Sequence, residues 1–274
     1  MAAWDWYDVL PSRVCRIIDG TGFGVFCYSL TRVTASRTLL GALVERWCDT
    51  TNSFHFSTAG EMTMNLVDFA MITGLGVVGD PIPLDADMGE WVAAWDTLLG
   101  ARQPTLRAGM LTYTWFEAHY RGEDPDTDEE VEQYARGFLL FLFGTTLFSN
   151  GWNTVGFYFL GALVVLQGVC FYDWGMADLT TLYGYMSSTS RMCGRLIGGY
   201  WRGWELWVYA YFPALALEPV EETATTVPFS DVYDSQLRRR TQESFIFFRQ
   251  YFDMVTAREI TWQPWDAIPS GLRD

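Results

Sequence analysis

The chain has 274 residues, 50 % of them hydrophobic and 17 % aromatic, with 33 acids against 18 bases and a formal net charge of -15. This apolar content excludes disorder over most of the chain, and the acidic balance opposes non-specific attraction to nucleic-acid phosphates. All 18 bases are arginine. The absence of lysine excludes a pyridoxal-phosphate Schiff base, a P-loop and a protein-kinase site.

Val9 to Ile18 reads as a short helix after Pro11, followed by a turn at Gly20, Gly22 and Gly24. From Ala35 to Cys48 the residues Leu39, Leu40, Leu43, Val44 and Trp47 recur at three- and four-residue spacing, one apolar stripe of a helix. Ser53-Phe54-His55-Phe56 and Glu61-Met62-Thr63-Met64 alternate on either side of Gly60, which predicts a small β-hairpin near 53–64. Asn65 with Asp68 three residues on reads as a helix cap, and Gly74 as that helix's end. Helices are expected over 88–99 and 106–119. Seven acids between Gly122 and Glu132 then lead into a helix reaching Leu147, carboxylates being favoured at a helix N-terminus.

No charge lies between Arg136 and Asp173, and Val155 to Tyr172 is nearly apolar over roughly a bilayer's width. Gly156, Gly161, Gln167 and Gly168 interrupt it, and no basic cluster flanks it. It is therefore read as half of a buried helical pair turning at Gly151-Trp152, rather than as a membrane hairpin. Helices follow over 177–186, 192–197 and the Trp-rich stretch from Trp201 to Tyr211. A last helix over 235–256 has Phe245, Phe248, Tyr251 and Phe252 as its packing face, and an extended tail covers 260–269. The expected architecture is mainly α-helical: a single compact multi-helix domain with a core over 1–219, a connecting loop over 220–231, and a C-terminal helix and arm over 232–274 that dock on the core. Cys15, Cys27, Cys48, Cys170 and Cys193 are odd in number and widely spaced, which suits a reducing intracellular compartment. The N-terminus, with Asp5 and Asp8, shows no secretion signal.

Five segments in order, ALVERWCDTTNSFHFSTAGEMTMNLVDFAMITGL, YARGFLLFLFGTTLF, YDWGMADLTTLYGYM, the Gly-Gly, Trp and Phe-Pro signals from Gly198 to Pro213, and YFDMVTAREITWQPW, resemble the plant mobile domain family, also labelled aminotransferase-like. The resemblance implies a compact helical domain, from a plant protein or a related transposable element, that works in nuclear gene or transposon silencing and genome maintenance, in some members beside phosphatase-like proteins. It brings no catalytic residue with it. Glu45, Arg46, Trp47, His55, Glu61, Asp68, Tyr134, Arg136, Trp174 and Gly175 match the family pattern. Val78, where the family has Asp, and Trp265, where Tyr is usual, depart from it.

Read as chemistry, Glu61 and Asp68 are the nearest approach to paired carboxylates, the basis of an alternative carboxylate-dependent hydrolase. The structural reading gives Asp68 to its own helix cap and Glu61 to a pair with Arg46. His55 is expected to be a satisfied hairpin histidine, Trp174 a core indole donating to a carbonyl, and Arg136 a partner for Asp173. Trp201, Trp204 and Trp207 share a helix face suited either to the core or to a protein-binding groove with Arg202 as polar anchor. The Arg238 to Arg240 run is the basis of a second alternative, a DNA-binding domain of transposon origin. The expected function is a non-catalytic nuclear protein-interaction module with no catalytic, metal or cofactor residues and no membrane segment.

Overall fold

The computed structural model describes residues 2–30, 35–87, 92–102, 109–122, 124–191, 198–217, 226–233, 244–266 and 268. The elements in chain order are α1 (Ala3–Tyr7), α2 (Ser12–Gly20), α3 (Gly24–Tyr28), α4 (Arg37–Val44), β1 (Trp47–Cys48), β2 (Ser53–Phe56), β3 (Gly60–Met62), α5 (Leu66–Thr73) and α6 (Val92–Ala94), which runs into a π-helical turn at Trp95–Leu99. Then come β4 (Met110–Thr112), α7 (Tyr113–Tyr120), α8 (Asp128–Thr145), β5 (Thr154–Gly156), 3-10 helices at Phe157–Leu163 and Leu166–Phe171, α9 (Trp174–Ser190), α10 (Arg202–Tyr211), a 3-10 turn at Phe229–Tyr233, and α11 (Phe245–Met254). The class is mainly α-helical with two small sheets, as the sequence pattern predicts. The chain gathers into two compact units that alternate along it: Met1–Tyr28 with Leu75–Asp178, and Ser29–Gly74 with Leu179–Asp274. The expected helix over 192–197, residues 220–225 of the expected connecting loop over 220–231, and the Arg238 to Arg240 run lie outside the described residues.

In the first unit, α8 is the axis. Thr127 caps it by accepting from the Glu130 amide, and the Glu130 carboxylate in turn accepts from the Thr127 amide. After this acidic start the helix turns apolar on every side: Phe138, Leu139, Leu140, Phe141, Leu142 and Phe143 are all fully buried. A helix apolar all round is stable only inside a protein body or a lipid phase, and here α1, α2, α7, β5 and the first 3-10 helix surround it. Among the described residues no helix is long and apolar enough to cross a membrane.

The second half of the uncharged stretch differs from expectation. It forms the β5 strand and two 3-10 helices, not an α-helix. A 3-10 helix has three residues per turn, so side chains at i and i+3 eclipse. Phe157, Leu160, Leu163, Leu166 and Val169 follow that period and are all at most 2 % exposed. Gly161 permits the close pass that fixes this path, since a Cβ there would stand 2.9 Å from the Pro83 carbonyl oxygen. β4, read as part of a helix over 106–119, is instead a strand paired antiparallel with β5, Leu111 opposite Val155.

In the second unit, Ser36 caps α4 by accepting from the Leu39 amide. The helix ends at Val44, and Trp47–Cys48, which continue its apolar spacing, leave it as β1 and pair with β2, Trp47 opposite Phe54. The predicted hairpin is therefore two strands of a three-stranded antiparallel sheet, with His55 opposite Glu61 in β2 and β3. Asn65 and Asp68 form the expected capping box, and Gly74 closes α5 in the left-handed conformation at φ 72°. α11 lies along α4, where Phe245 rests 3.4 Å from the position of a Cβ on Gly41.

Candidate functional site

The residues singled out in the sequence separate into a buried hub in the second unit, a few exposed groups around it, and an independent cluster in the first unit. The hub is built on Asp68, which is 1 % exposed. Its Oδ2 accepts from the Asn65 amide at 2.9 Å, and its Oδ1 accepts from the Tyr211 hydroxyl and the Trp265 indole N–H, both at 2.8 Å. One carboxylate thus ties the start of α5, the end of α10 and the C-terminal arm. Burial and the Asp68 charge together push the Tyr211 hydroxyl far above its ordinary range. Because both oxygens are spent on fixed donors, Asp68 is poorly placed to move a proton for a substrate.

The aromatic part of the hub is core. Trp204 and Trp207 are fully buried and Trp47 is 7 % exposed. Phe54 lies between them, 4.9 Å from Trp47, 5.0 Å from Trp204 and 5.5 Å from Trp207. Such ring pairs contribute about 0.5–1.5 kcal/mol each beyond their buried area. The Trp47 indole donates to Ser187 Oγ at 2.9 Å, whereas Trp204 and Trp207 have no acceptor for theirs among the described residues. Trp204 meets the Phe54 ring at 90° and the Trp207 ring at 89°, both edge-to-face arrangements that aromatic pairs favour. The groove reading of this trio is corrected for Trp204 and Trp207; Trp201 is half-buried.

Arg202 is not a surface anchor. It is 6 % exposed and forms an ion pair with Glu205, itself 2 % exposed. Glu205 Oε1 also accepts from the Ser36 amide at 3.0 Å and from the Tyr209 hydroxyl at 2.9 Å. Glu205 thus joins α10 to the cap of α4. The sequence reading passed over Glu205, although the i, i+3 spacing with Arg202 was available as a signal.

The pair expected between Arg46 and Glu61 is not formed. Arg46 bonds Asp253 and the Arg249 carbonyl, both on α11. Glu61 is exposed and accepts from Ser53 Oγ at 2.8 Å. The β-strand period explains the difference, because Glu61 alternates with the buried Met62 and so points to the solvent side. His55 is exposed on the same principle. The Cys48 thiol bonds the Thr50 hydroxyl, and bonds to Thr50 and Thr51 pull it down to about 7.

In the first unit, Arg136 is 5 % exposed and does not pair with Asp173. Its guanidinium donates to the Leu163 carbonyl at 2.9 Å, the Val164 carbonyl at 3.2 Å and Glu132 at 2.8 Å. The 3-10 path presents those carbonyls at a helix end, where an α-helix would have kept them for its own ladder. Asp173 instead accepts from the Met176 amide at 2.9 Å at the start of α9. Trp174 is 3 % exposed and donates to the Val169 carbonyl at 2.9 Å, as expected of a core indole. Gly175 admits the Gly76 carbonyl, which would be 2.6 Å from a Cβ. Among the described residues no group of three or more His, Cys, Asp or Glu is arranged to hold a metal ion.

The sequence model of the plant mobile domain matches residues 23–273. The chain belongs to the plant mobile domain family. It is 29 % identical to Protein MAIN-LIKE 2 of Arabidopsis thaliana, over 96 % of this chain and 40 % of that protein. It is 26 % identical to Protein MAINTENANCE OF MERISTEMS of the same plant, over 97 % of this chain and 56 % of that protein. A Serine/threonine-protein phosphatase 7 long form homolog is 26 % identical over 95 % of this chain and only 20 % of its own length. The chain therefore spans about half or less of these relatives. No solved structure matches it.

Proposed function

We propose that this plant mobile domain is a non-catalytic protein-interaction module that acts in nuclear gene or transposon silencing or genome maintenance, through a partner of the phosphatase-like class. The observation that carries this reading is the state of Asp68: the carboxylate best placed for acid–base chemistry is buried and saturated by Asn65, Tyr211 and Trp265. Glu61, the other member of the hydrolase alternative, is exposed and bonded to Ser53. The MAIN-type relatives carry names that state no reaction. The phosphatase-named relative holds the matching region within a fifth of its length, which supports a domain that works in the company of such an enzyme.

The test is affinity isolation from plant nuclear extract with the whole chain as bait, together with the location of a fluorescent fusion. The expected result is nuclear fluorescence and a phosphatase-class protein retained at moderate salt. Extract that yields no saturable partner counts against the proposal. So does hydrolysis of a carboxylic or phosphoric ester by the purified chain that disappears in Asp68→Asn.

A further inference from the structure

α11 has two apolar faces. Phe248 and Phe252 are buried, while Ile246, Phe247 and Met254 remain 64, 38 and 74 % exposed. After Met254 the chain turns, and Glu259 Oε2 secures the turn by accepting from the Thr256 amide at 2.9 Å and the Thr256 hydroxyl at 2.8 Å. Between helix and turn lies an open groove of about 430 Å³, lined by Phe247, Gln250, Tyr251, Met254, Val255 and Glu259.

Two aromatic rings and a thioether form the walls, and among the described lining residues Glu259 carries the one charge. Glu259 Oε1 accepts no bond from the described residues, and the Thr256 bonds keep the carboxyl below its usual range, so it is anionic at neutral pH. Tyr251 and Glu259 line the same groove, and burial and then the Glu259 charge raise the Tyr251 hydroxyl. Among the described residues, Arg249 pairs with Glu45 at 3.1 Å and Arg46 with Asp253, while Arg258 is exposed on the turn next to Glu259 in the chain. A groove of this make-up suits a cation on an apolar stem, the stem along Met254 and the cation against ring faces and carboxylate. A net charge of -15 without a single lysine favours a basic occupant over an acidic one.

We propose that the α11 groove receives a lysine side chain from a basic segment of a partner protein. This inference rests on the interaction-module reading and names the chemistry of the partner.

The test is titration of the whole chain with a dye-labelled peptide of alternating Lys and Gly, and with its counterpart in which norleucine, which keeps the four-carbon stem and lacks the ammonium group, replaces Lys. Saturable binding of the lysine peptide is expected, with norleucine on the order of tenfold weaker. Glu259→Gln keeps a carbonyl oxygen for Thr256 and is expected to weaken the lysine peptide about three- to fivefold, the range of a partly exposed ion pair. Met254→Ala is expected to weaken both peptides. Glu129→Gln, at an exposed acid of the other unit, is expected to change neither.

The proposal is overturned if the two peptides bind alike, if Glu129→Gln matches Glu259→Gln, or if neither peptide binds. It is equally overturned if the chain self-associates in sedimentation through a contact that Met254→Ala abolishes, which would make a second copy the occupant. A phosphatase-class partner still captured by Glu259→Gln, with no lysine-peptide binding, removes this groove assignment and leaves the module reading intact.

Discussion

The two units reach a stable interior by different means. Around α8 the first unit buries six consecutive apolar side chains, and its buried Arg136 is met by the Leu163 and Val164 carbonyls and by Glu132 one turn away. The second unit buries Asp68, Arg202 and Glu205 and satisfies them across long sequence separations. An apolar core tolerates loss of volume in proportion to the cavity left. A buried polar network fails abruptly when one member is removed, because the others keep their desolvation cost without their partner.

The sharpest way to break that contrast is Glu205→Leu, which takes the buried carboxylate away from the Arg202 guanidinium, the Ser36 amide and the Tyr209 hydroxyl and is expected to cost about 3–5 kcal/mol in urea unfolding. Adding Arg202→Met should recover most of the loss; a double variant no better than the single would show that Glu205 matters through Ser36 and Tyr209 alone. Phe141→Ala in α8 is expected to cost a comparable ~3–5 kcal/mol, but no second polar substitution should rescue it.

Asp68→Ala leaves the Tyr211 hydroxyl and Trp265 indole without an acceptor and removes half of a capping box, an expected loss of about 2–4 kcal/mol. Trp265→Phe removes one donor only and should cost about 1 kcal/mol from that bond. Equal losses in this pair would mean that Asp68 acts only through Trp265.

The smallest effect is chemical. The folded state favours the Cys48 thiolate, so this contribution to stability is present at pH above the ordinary thiol range and fades as pH falls through about 7. Iodoacetamide labelling of Cys48 should rise with pH and reach half its maximum near about 7. Thr50→Ala should move that midpoint upward, and an unchanged midpoint would remove the hydroxyl from the explanation.

What the sequence disclosed followed the same division. The Asn65–Asp68 box, the hairpin, the buried α8 and the Trp174 donor are local, and each signal lies within a few residues. Trp47 was misplaced because its spacing from Leu43 and Val44 fits a helix equally well, and only pairing with Phe54 makes it a strand residue. The 3-10 path was in principle legible: Phe157, Leu160, Leu163, Leu166 and Val169 repeat at three, a period easily taken for the 3.6 of an α-helix. The Asp68–Trp265 bond spans 197 positions, and no local pattern can announce it. Reading Arg46 as the partner of Glu61 failed for a related reason, since α11 brings Asp253 from 207 positions away.

The alternation of the two units has a practical consequence for mapping experiments. Residues 1–178 contain the whole first unit together with a stranded 29–74, and residues 29–274 contain the whole second unit together with an orphaned 75–178. A cut at 28/29, 74/75 or 178/179 therefore parts one unit from a segment it packs with, and lost binding in such a truncation would report on misfolding rather than on the contact removed. Point substitutions in the intact chain are the instrument this connectivity permits.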